Sequence, residues 1–228
     1  MTEVYVAFPS ADHNKAFYAT NRWAKMGYKA ALFTDESYSL SKVEIALSGP
    51  YMGYWDACNK LAMACLKTKA DVVVFAADDI EPDKMHSAQE IGRQYLKRFP
   101  QGLGVMQPCG DLQGIDSSGR PASERICGSP WIGRAWIERA FGGKGPFPEG
   151  YWHFYGDEHL KEVAERLGLL FMDKGLIQTH MHWSWGWNDQ TTYQERNSRE
   201  HWQKDQVLFF KNKAAGFPGS ELLREEAV

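Results

Sequence analysis

The sequence has no run of eighteen apolar residues, so no segment reads as a membrane span. It has no surplus of positive charge. Its 26 Lys and Arg stand against 29 Asp and Glu, a formal net charge of −3, which excludes holding nucleic acid by bulk charge and leaves room only for a local basic patch. Its four cysteines, Cys58, Cys65, Cys109 and Cys127, include no Cys-x-x-Cys pair, so a structural zinc site is not expected. Cys58 and Cys65 lie two helical turns apart on an apolar face, which suits buried thiols in a reducing compartment. A strand pattern begins at Val4 and leaves no room for a signal peptide, so cytoplasmic placement is expected. There is no internal repeat, low-complexity tract or linker. What is abundant is aromatic: 14% of residues, nine of them Trp, clustered late in the chain. With 43% hydrophobic residues, the 228-residue chain can bury the core of one large domain.

Alternating strand and helix patterns point to an α/β fold with a parallel sheet. Val4 to Phe8 reads as a strand, and Ser10 or Asp12 caps a helix running to Met26. Tyr28 to Phe33 reads as the next strand, and residues 36–50 as a polar loop. Tyr54 to Leu66 carries apolar residues at helical spacing. Val72 to Phe75 is a short, continuous apolar run, as in a strand buried on both faces. A surface helix is expected from Met85 to Phe99, stopped by Pro100, and a strand over 104–108. Ser129 and Pro130 read as the N-cap and first residue of a helix to Phe141. A further helix opens at Gly156-Asp157-Glu158 and runs to Leu167, short strands cover 169–172 and 176–180, and a charged helical segment follows from Thr191.

The Val72–Phe75 run ends at two adjacent carboxylates, Asp78 and Asp79, with Glu81 and Asp83 just beyond. Open α/β sheets bind ligands at the carboxyl ends of their strands. Acids gathered there repel one another unless a cation lies between them. The plainer reading is an acidic turn, with Asp79 or Asp83 capping the next helix. Asp35 ends its strand where a carboxylate often holds a ribose or base edge. Asn59, in mid-helix, is either exposed or faces a ligand. Gly128 either allows an anion to approach a helix N-terminus or merely permits a tight turn. His180 and His182 point the same way in an extended chain and suit a metal. Trp183, Trp185 and Trp187 alternate into a flat wall.

Taken together, these features resemble the GT-A class of nucleotide-sugar glycosyltransferases, family 2-like. Those enzymes have a Rossmann-like half, an acidic DXD motif at a strand end, a catalytic carboxylate and often a late metal-binding His. Asp78-Asp79 fits the DXD position with Ala77 where the first acid would stand. The resemblance implies a mostly parallel Rossmann-like GT-A sheet with a C-terminal helix. Residues 1–190 would form one catalytic domain, with 1–83 the nucleotide-sugar half and 101–190 the acceptor and catalytic half, followed by a helix and tail over 191–228. It implies Asp79 with His182 or His180 as ligands of Mn²⁺ or Mg²⁺. Pro9, Ser10, Asp35, Tyr51, Gly53, Asn59, Asp78 and Gly128 would form the nucleotide shell, and a UDP-sugar is the expected donor.

Asp157, with Glu158, would take the proton from an acceptor hydroxyl in an inverting transfer, and Lys144 would add charge at the leaving group. Trp131, Tyr151, Trp152 and Trp183 would stack on the acceptor. The acceptor is open between a small glycan and a hydroxymethylated DNA base, as with small phage-encoded enzymes that act in the host cytoplasm. A metal-dependent phosphohydrolase or nucleotidyltransferase is the first alternative. A non-catalytic carbohydrate-binding protein built on the Trp wall is the second.

Overall fold

The inner strands of the first half of the chain are apolar on both of their faces, and the reason is visible in their neighbours. The structure is a computed structural model that describes residues 2–37, 39–108, 126–181 and 196–218. In β1 (Val4–Pro9) Tyr5 and Ala7 face one core while Val4, Val6 and Phe8 face another. In β4 (Val72–Phe75) Val73 and Phe75 join the first core, and Val72 and Val74 the second. Burying such a side chain stabilises the fold by about 1.5–3 kcal/mol, before entropy is counted.

The second core lies under α1 (His13–Lys25) and α3 (Ala88–Arg98). The first lies under α2 (Tyr54–Leu66), α4 (Arg134–Arg139), α5 (Gly156–Arg166) and α6 (Arg199–Ala214). With β2 (Lys29–Thr34), β3 (Val43–Ser48), β6 (Val105–Pro108), β7 (Trp131–Gly133) and β8 (Leu170–Asp173), the strands form a seven-stranded sheet in the order β3-β2-β1-β4-β7-β6-β8. Among the described strands of this sheet only β7 runs antiparallel to its neighbours. This is the mostly parallel, helix-flanked α/β sheet with a C-terminal helix expected from the sequence. Two short strands, β5 (Ile80–Glu81) and β9 (Thr179–His180), form a separate antiparallel pair. Among the described residues no helix is long and apolar enough to cross a membrane.

Three local expectations are corrected. Residues 43–48 are an edge strand, not part of a loop, and Val43, Ile45 and Leu47 are its half-buried side. The helix after the acidic stretch starts at Ala88, where Ser87 and Glu90 form a reciprocal capping box, not at Met85. Ser129 and Pro130 do not open a helix. The chain continues extended through β7, and α4 starts at Arg134 after Gly133. Ser129 is instead part of a buried polar set. Its N–H donates to Gln107 Oε1 (3.1 Å) and its Oγ accepts from Gln178 Nε2 (2.7 Å). Gln178 Oε1 in turn accepts from the Trp131 indole (2.6 Å). Once β7 enters the sheet, Ser129 satisfies the core rather than a helix end.

Arg134 closes α2 from the far side. Its guanidinium donates to the carbonyls of Leu66 (2.6 Å), Thr68 (3.1 Å) and Ala70 (3.2 Å). A cation at a helix C-terminus satisfies otherwise orphaned acceptors and suits the helix dipole. This ties the direction of α2, and so the placement of Tyr54 at its other end, to the β7–α4 junction.

Candidate active site

The crest of the sheet carries the acids. Ser10, following β1, donates its hydroxyl to Asp78 Oδ2 (2.6 Å), and Arg22 of α1 reaches the Asp78 carbonyl (3.3 Å). Burial pushes the Asp78 carboxyl up to about 6, and the neighbouring Asp79 charge adds to this while the Ser10 bond opposes it. Asp79 lies beside the distant His180 because β5 and β9 pair. Ile80 is in register with His180, and Met181 N–H donates to the Asp79 carbonyl (2.8 Å). As a result Asp79 Oδ1 stands 3.3 Å from His180 Nε2.

These two donors fit part of a cation shell. Adjacent ligands of an octahedral Mg²⁺-sized ion stand about 3 Å apart, and a carboxylate with an imidazole suits Mn²⁺. Among the described residues no group of three or more His, Cys, Asp or Glu converges in this way. His182 and Trp183 lie outside the described residues, as do Trp185, Trp187 and Cys109.

Beyond the acids, Asp83 is a clamp. It is 3% exposed and accepts from the N–H groups of Met85 (2.8 Å), His86 (2.9 Å) and Ile177 (2.9 Å), with the His86 ring at 3.0 Å. Burial alone would raise its pKa. The bonds from Ile177, Met85 and His86 outweigh that and hold it below the usual value. A carboxyl whose folded pKa is depressed stabilises above its unfolded pKa and loses that contribution as pH falls through the folded one. Asp83→Asn is therefore expected to cost about 1–2 kcal/mol at pH 7. The gap from wild type should narrow below about pH 4. Urea unfolding at pH 7 and pH 3 measures both, and an equal gap at the two pH values would contradict the assignment.

The aromatic run 151–155 reaches the crest through α2. Gly53, at φ +109°, brings the chain so close that an added Cβ would stand 2.6 Å from the Trp152 carbonyl, which accepts from Tyr54 N–H (2.6 Å). The Trp55 indole donates to the His153 carbonyl (2.8 Å), and Tyr54 Oη donates to the Ala76 carbonyl (2.9 Å) beside the acids. Tyr155, at φ +64°, then turns the chain into α5, where Asp157 and Glu158 occupy the first turn. Asp157 Oδ1 accepts from Glu158 N–H (3.0 Å).

α6 grips this run along its length. Asp205, 1% exposed, accepts from the N–H groups of Trp152 (2.9 Å), His153 (2.9 Å) and Phe154 (2.8 Å). Gln206 donates to Tyr155 Oη (2.9 Å) and Asn212 to Tyr151 Oη (3.2 Å). The His201 ring stacks on Trp152 at 4.2 Å.

The other expected site residues divide. Asp35, at the end of β2, and Tyr51 come together beneath Arg196, which forms an ion pair with Asp35 and lies 5.4 Å from the Tyr51 ring centre. Pro9 ends β1 directly before Ser10. Asn59 is buried, and it is neither exposed nor turned to the crest. Its amide donates to the Phe147 carbonyl (3.0 Å) and accepts from Phe147 N–H (3.1 Å), which fixes the 144–150 loop. Gly128 precedes a strand, so no helix N-terminus stands there to take an anion.

Trp131 is fully buried, edge-on to Tyr28 in the second core, because β7 places it inside the sheet, so no face of it is open to an acceptor. Tyr151 is also buried, with its hydroxyl 3.0 Å from His159 Nδ1. Lys144 is paired with Glu149 (2.8 Å). It lines a groove of about 970 Å³ along the outer face of α2, with Met52, Lys60, Trp152 and Lys204. That groove does not include Asp78, Asp79 or Asp157.

Sequence reasoning missed Tyr54, Arg196 and Asp205. Tyr54 was legible only as a buried helix position, and nothing in the charged C-terminal stretch singles out Arg196 or Asp205.

No family model and no curated protein matches the chain. Among solved structures it is similar to A197 from STIV, at 12% identity over 79% of this chain and 85% of that one, with a TM-score of 0.47. It is similar to a mutant of the Drosophila β1,4-galactosyltransferase 7 in complex with manganese, UDP-Gal and xylobiose, at 11% identity over 87% and 80%, TM-score 0.49. It is also similar to HddC from Yersinia pseudotuberculosis, at 9% identity over 60% and 79%, TM-score 0.35.

Proposed function

We propose that the protein is a metal-dependent glycosyltransferase that moves a sugar from a nucleoside diphosphate sugar to an acceptor hydroxyl. The observation that carries this reading is the meeting of Asp79 and His180 at the carboxyl end of β4, 3.3 Å apart, from segments a hundred residues distant in the chain. Asp79 and His180 would hold Mn²⁺ or Mg²⁺. When bound, the cation supplies Lewis-acid stabilisation to a diphosphate leaving group.

The chain's own residues supply the rest. Ser10 and Asp78 form one wall of the nucleotide shell, with Asp35 and Tyr51 at its far end. Asp157, at the start of α5, accepts the proton of the attacking hydroxyl, and transfer by a single displacement inverts the anomeric centre. A small glycan or a hydroxymethylated DNA base would enter beside Asp157, whereas Trp152 lies against Tyr51 at the far end of the nucleotide shell. The test is a thermal-shift scan of nucleoside diphosphates and their sugars, each with and without Mn²⁺. At least one should raise Tm in a Mn²⁺-dependent way. No shift with any of them would reject the reading.

A further inference from the structure

The carboxylate at the end of β2 already has an occupant. Asp35 is held by the guanidinium of Arg196, and both side chains remain about one-third exposed. The guanidinium lies 5.4 Å from the centre of the Tyr51 ring, so it is stacked as well as paired. Its backbone is fixed independently, because the Arg196 carbonyl accepts from the Trp152 indole (2.9 Å) and lies 3.0 Å from His201 Nδ1. Trp152 also meets Tyr51 edge-on at 5.7 Å. A planar cation with N–H donors therefore sits between an acceptor-only carboxylate and an aromatic face, at the strand end where an α/β sheet binds a nucleoside.

We propose that Arg196 is a specificity-determining residue of the donor site. It is an internal stand-in for a nucleobase, and the base that displaces it from Asp35 and Tyr51 is guanine. The inference rests on the donor-site reading above. Guanine contains the same planar N–C–N fragment as the arginine side chain, with N–H donors on adjacent nitrogens. It can offer a carboxylate two hydrogen bonds while its ring lies on Tyr51. Uracil offers a single N–H flanked by two carbonyl oxygens, which a carboxylate repels. The geometry thus departs from the uridine donor expected from the sequence. Before the base can engage Asp35, the ion pair must open. The pair therefore lowers affinity for every nucleotide that uses this end of the site, and guanine recovers the most.

The test is calorimetric titration of the full-length protein in Mn²⁺ with GDP, UDP, ADP and 2′-deoxy-GDP. GDP is expected to bind at least tenfold more tightly than UDP or ADP, at roughly the discrimination of one two-donor base contact. 2′-Deoxy-GDP should bind within about twofold of GDP, because the contact is to the base and not to the ribose. Arg196→Ala is expected to tighten GDP binding by about two- to fivefold, the strength of a half-exposed ion pair. Asp35→Asn should erase the preference for GDP over UDP.

Equal binding of GDP and UDP, or a large loss with 2′-deoxy-GDP, would assign Asp35 to the ribose and overturn the proposal. Weaker GDP binding by Arg196→Ala would make Arg196 a direct nucleotide contact, which also overturns it. In both of those cases the glycosyltransferase reading stands. Binding of none of the four overturns this proposal, and the wider thermal-shift scan of nucleoside diphosphates and their sugars then decides separately whether the glycosyltransferase reading stands.

Discussion

Asp205→Ala is expected to destabilise the protein by about 3–5 kcal/mol and to lower Tm by about 10 °C. The side chain is almost wholly buried and accepts from three successive amides, those of Trp152, His153 and Phe154. Removing it leaves three donors without their acceptor and takes away the only charge opposite them in that cluster of bonds, and each such loss costs about 1–3 kcal/mol. Asp205→Asn keeps one acceptor oxygen but turns an amide NH₂ toward N–H groups, so an intermediate loss is expected. Denaturant unfolding of the two variants provides the measurement. An alanine variant within 1 kcal/mol of wild type would mean that α6 is an accessory and not a splint for the 151–155 run.

The second large effect concerns binding. Asp79→Asn is expected to abolish the Mn²⁺-dependent part of nucleotide stabilisation. For a ligand at a hundred times its Kd that part amounts to about 2.7 kcal/mol in the wild-type protein. The Asp79 side chain is 17% exposed at the crest, so its loss removes a ligand without opening the core. His180→Ala should weaken Mn²⁺ dependence less, since a carboxylate contributes charge as well as a donor atom. Thermal shift with Mn²⁺ and nucleotide, repeated after chelation with EDTA, separates the metal term from the nucleotide term. If Asp79→Asn kept the full Mn²⁺-dependent gain, Asp79 would be no more than the turn residue that its position also allows.

How much of this the sequence carried differs by feature. The buried strand Val72–Phe75 and the helix Tyr54–Leu66 were legible because apolar periodicity is a local signal. The edge strand Val43–Ser48 carries the same signal, Val43, Ile45 and Leu47 alternating with Glu44, Ala46 and Ser48, yet it is half-buried and its small and polar exposed partners read as loop. Ser129-Pro130 shows the limit of capping rules. The dipeptide suits a helix start, but insertion of the next three residues between β4 and β6 overrides it.

Within the site, Asp78 and Asp79 were visible as adjacent acids at a strand end, and their division of labour follows from contacts with Ser10 on one side and His180 on the other. Asn59 was seen as unusual in mid-helix but not as the anchor of Phe147, because the loop it holds lies some ninety residues later. Arg196 and Asp205 carry no local signature. Their partners, Asp35 and the amides of 152–154, are set by tertiary folding alone.

The single reversed strand has a consequence for the order in which the chain folds. β1 to β4 all lie within residues 4–75 and can assemble as the first third of the chain becomes available. β6 and β8 pair with each other but touch β4 only through the three residues of β7. Until Trp131–Gly133 is seated, the sheet exists as two separate pieces. Closing it demands a contact between residues about sixty positions apart, with the loop entropy that such a closure costs. Strand insertion at β7 is the step that converts two ribbons into one sheet. Slow seating of β7 would leave the inner edges of β4 and β6 open to pairing with other chains.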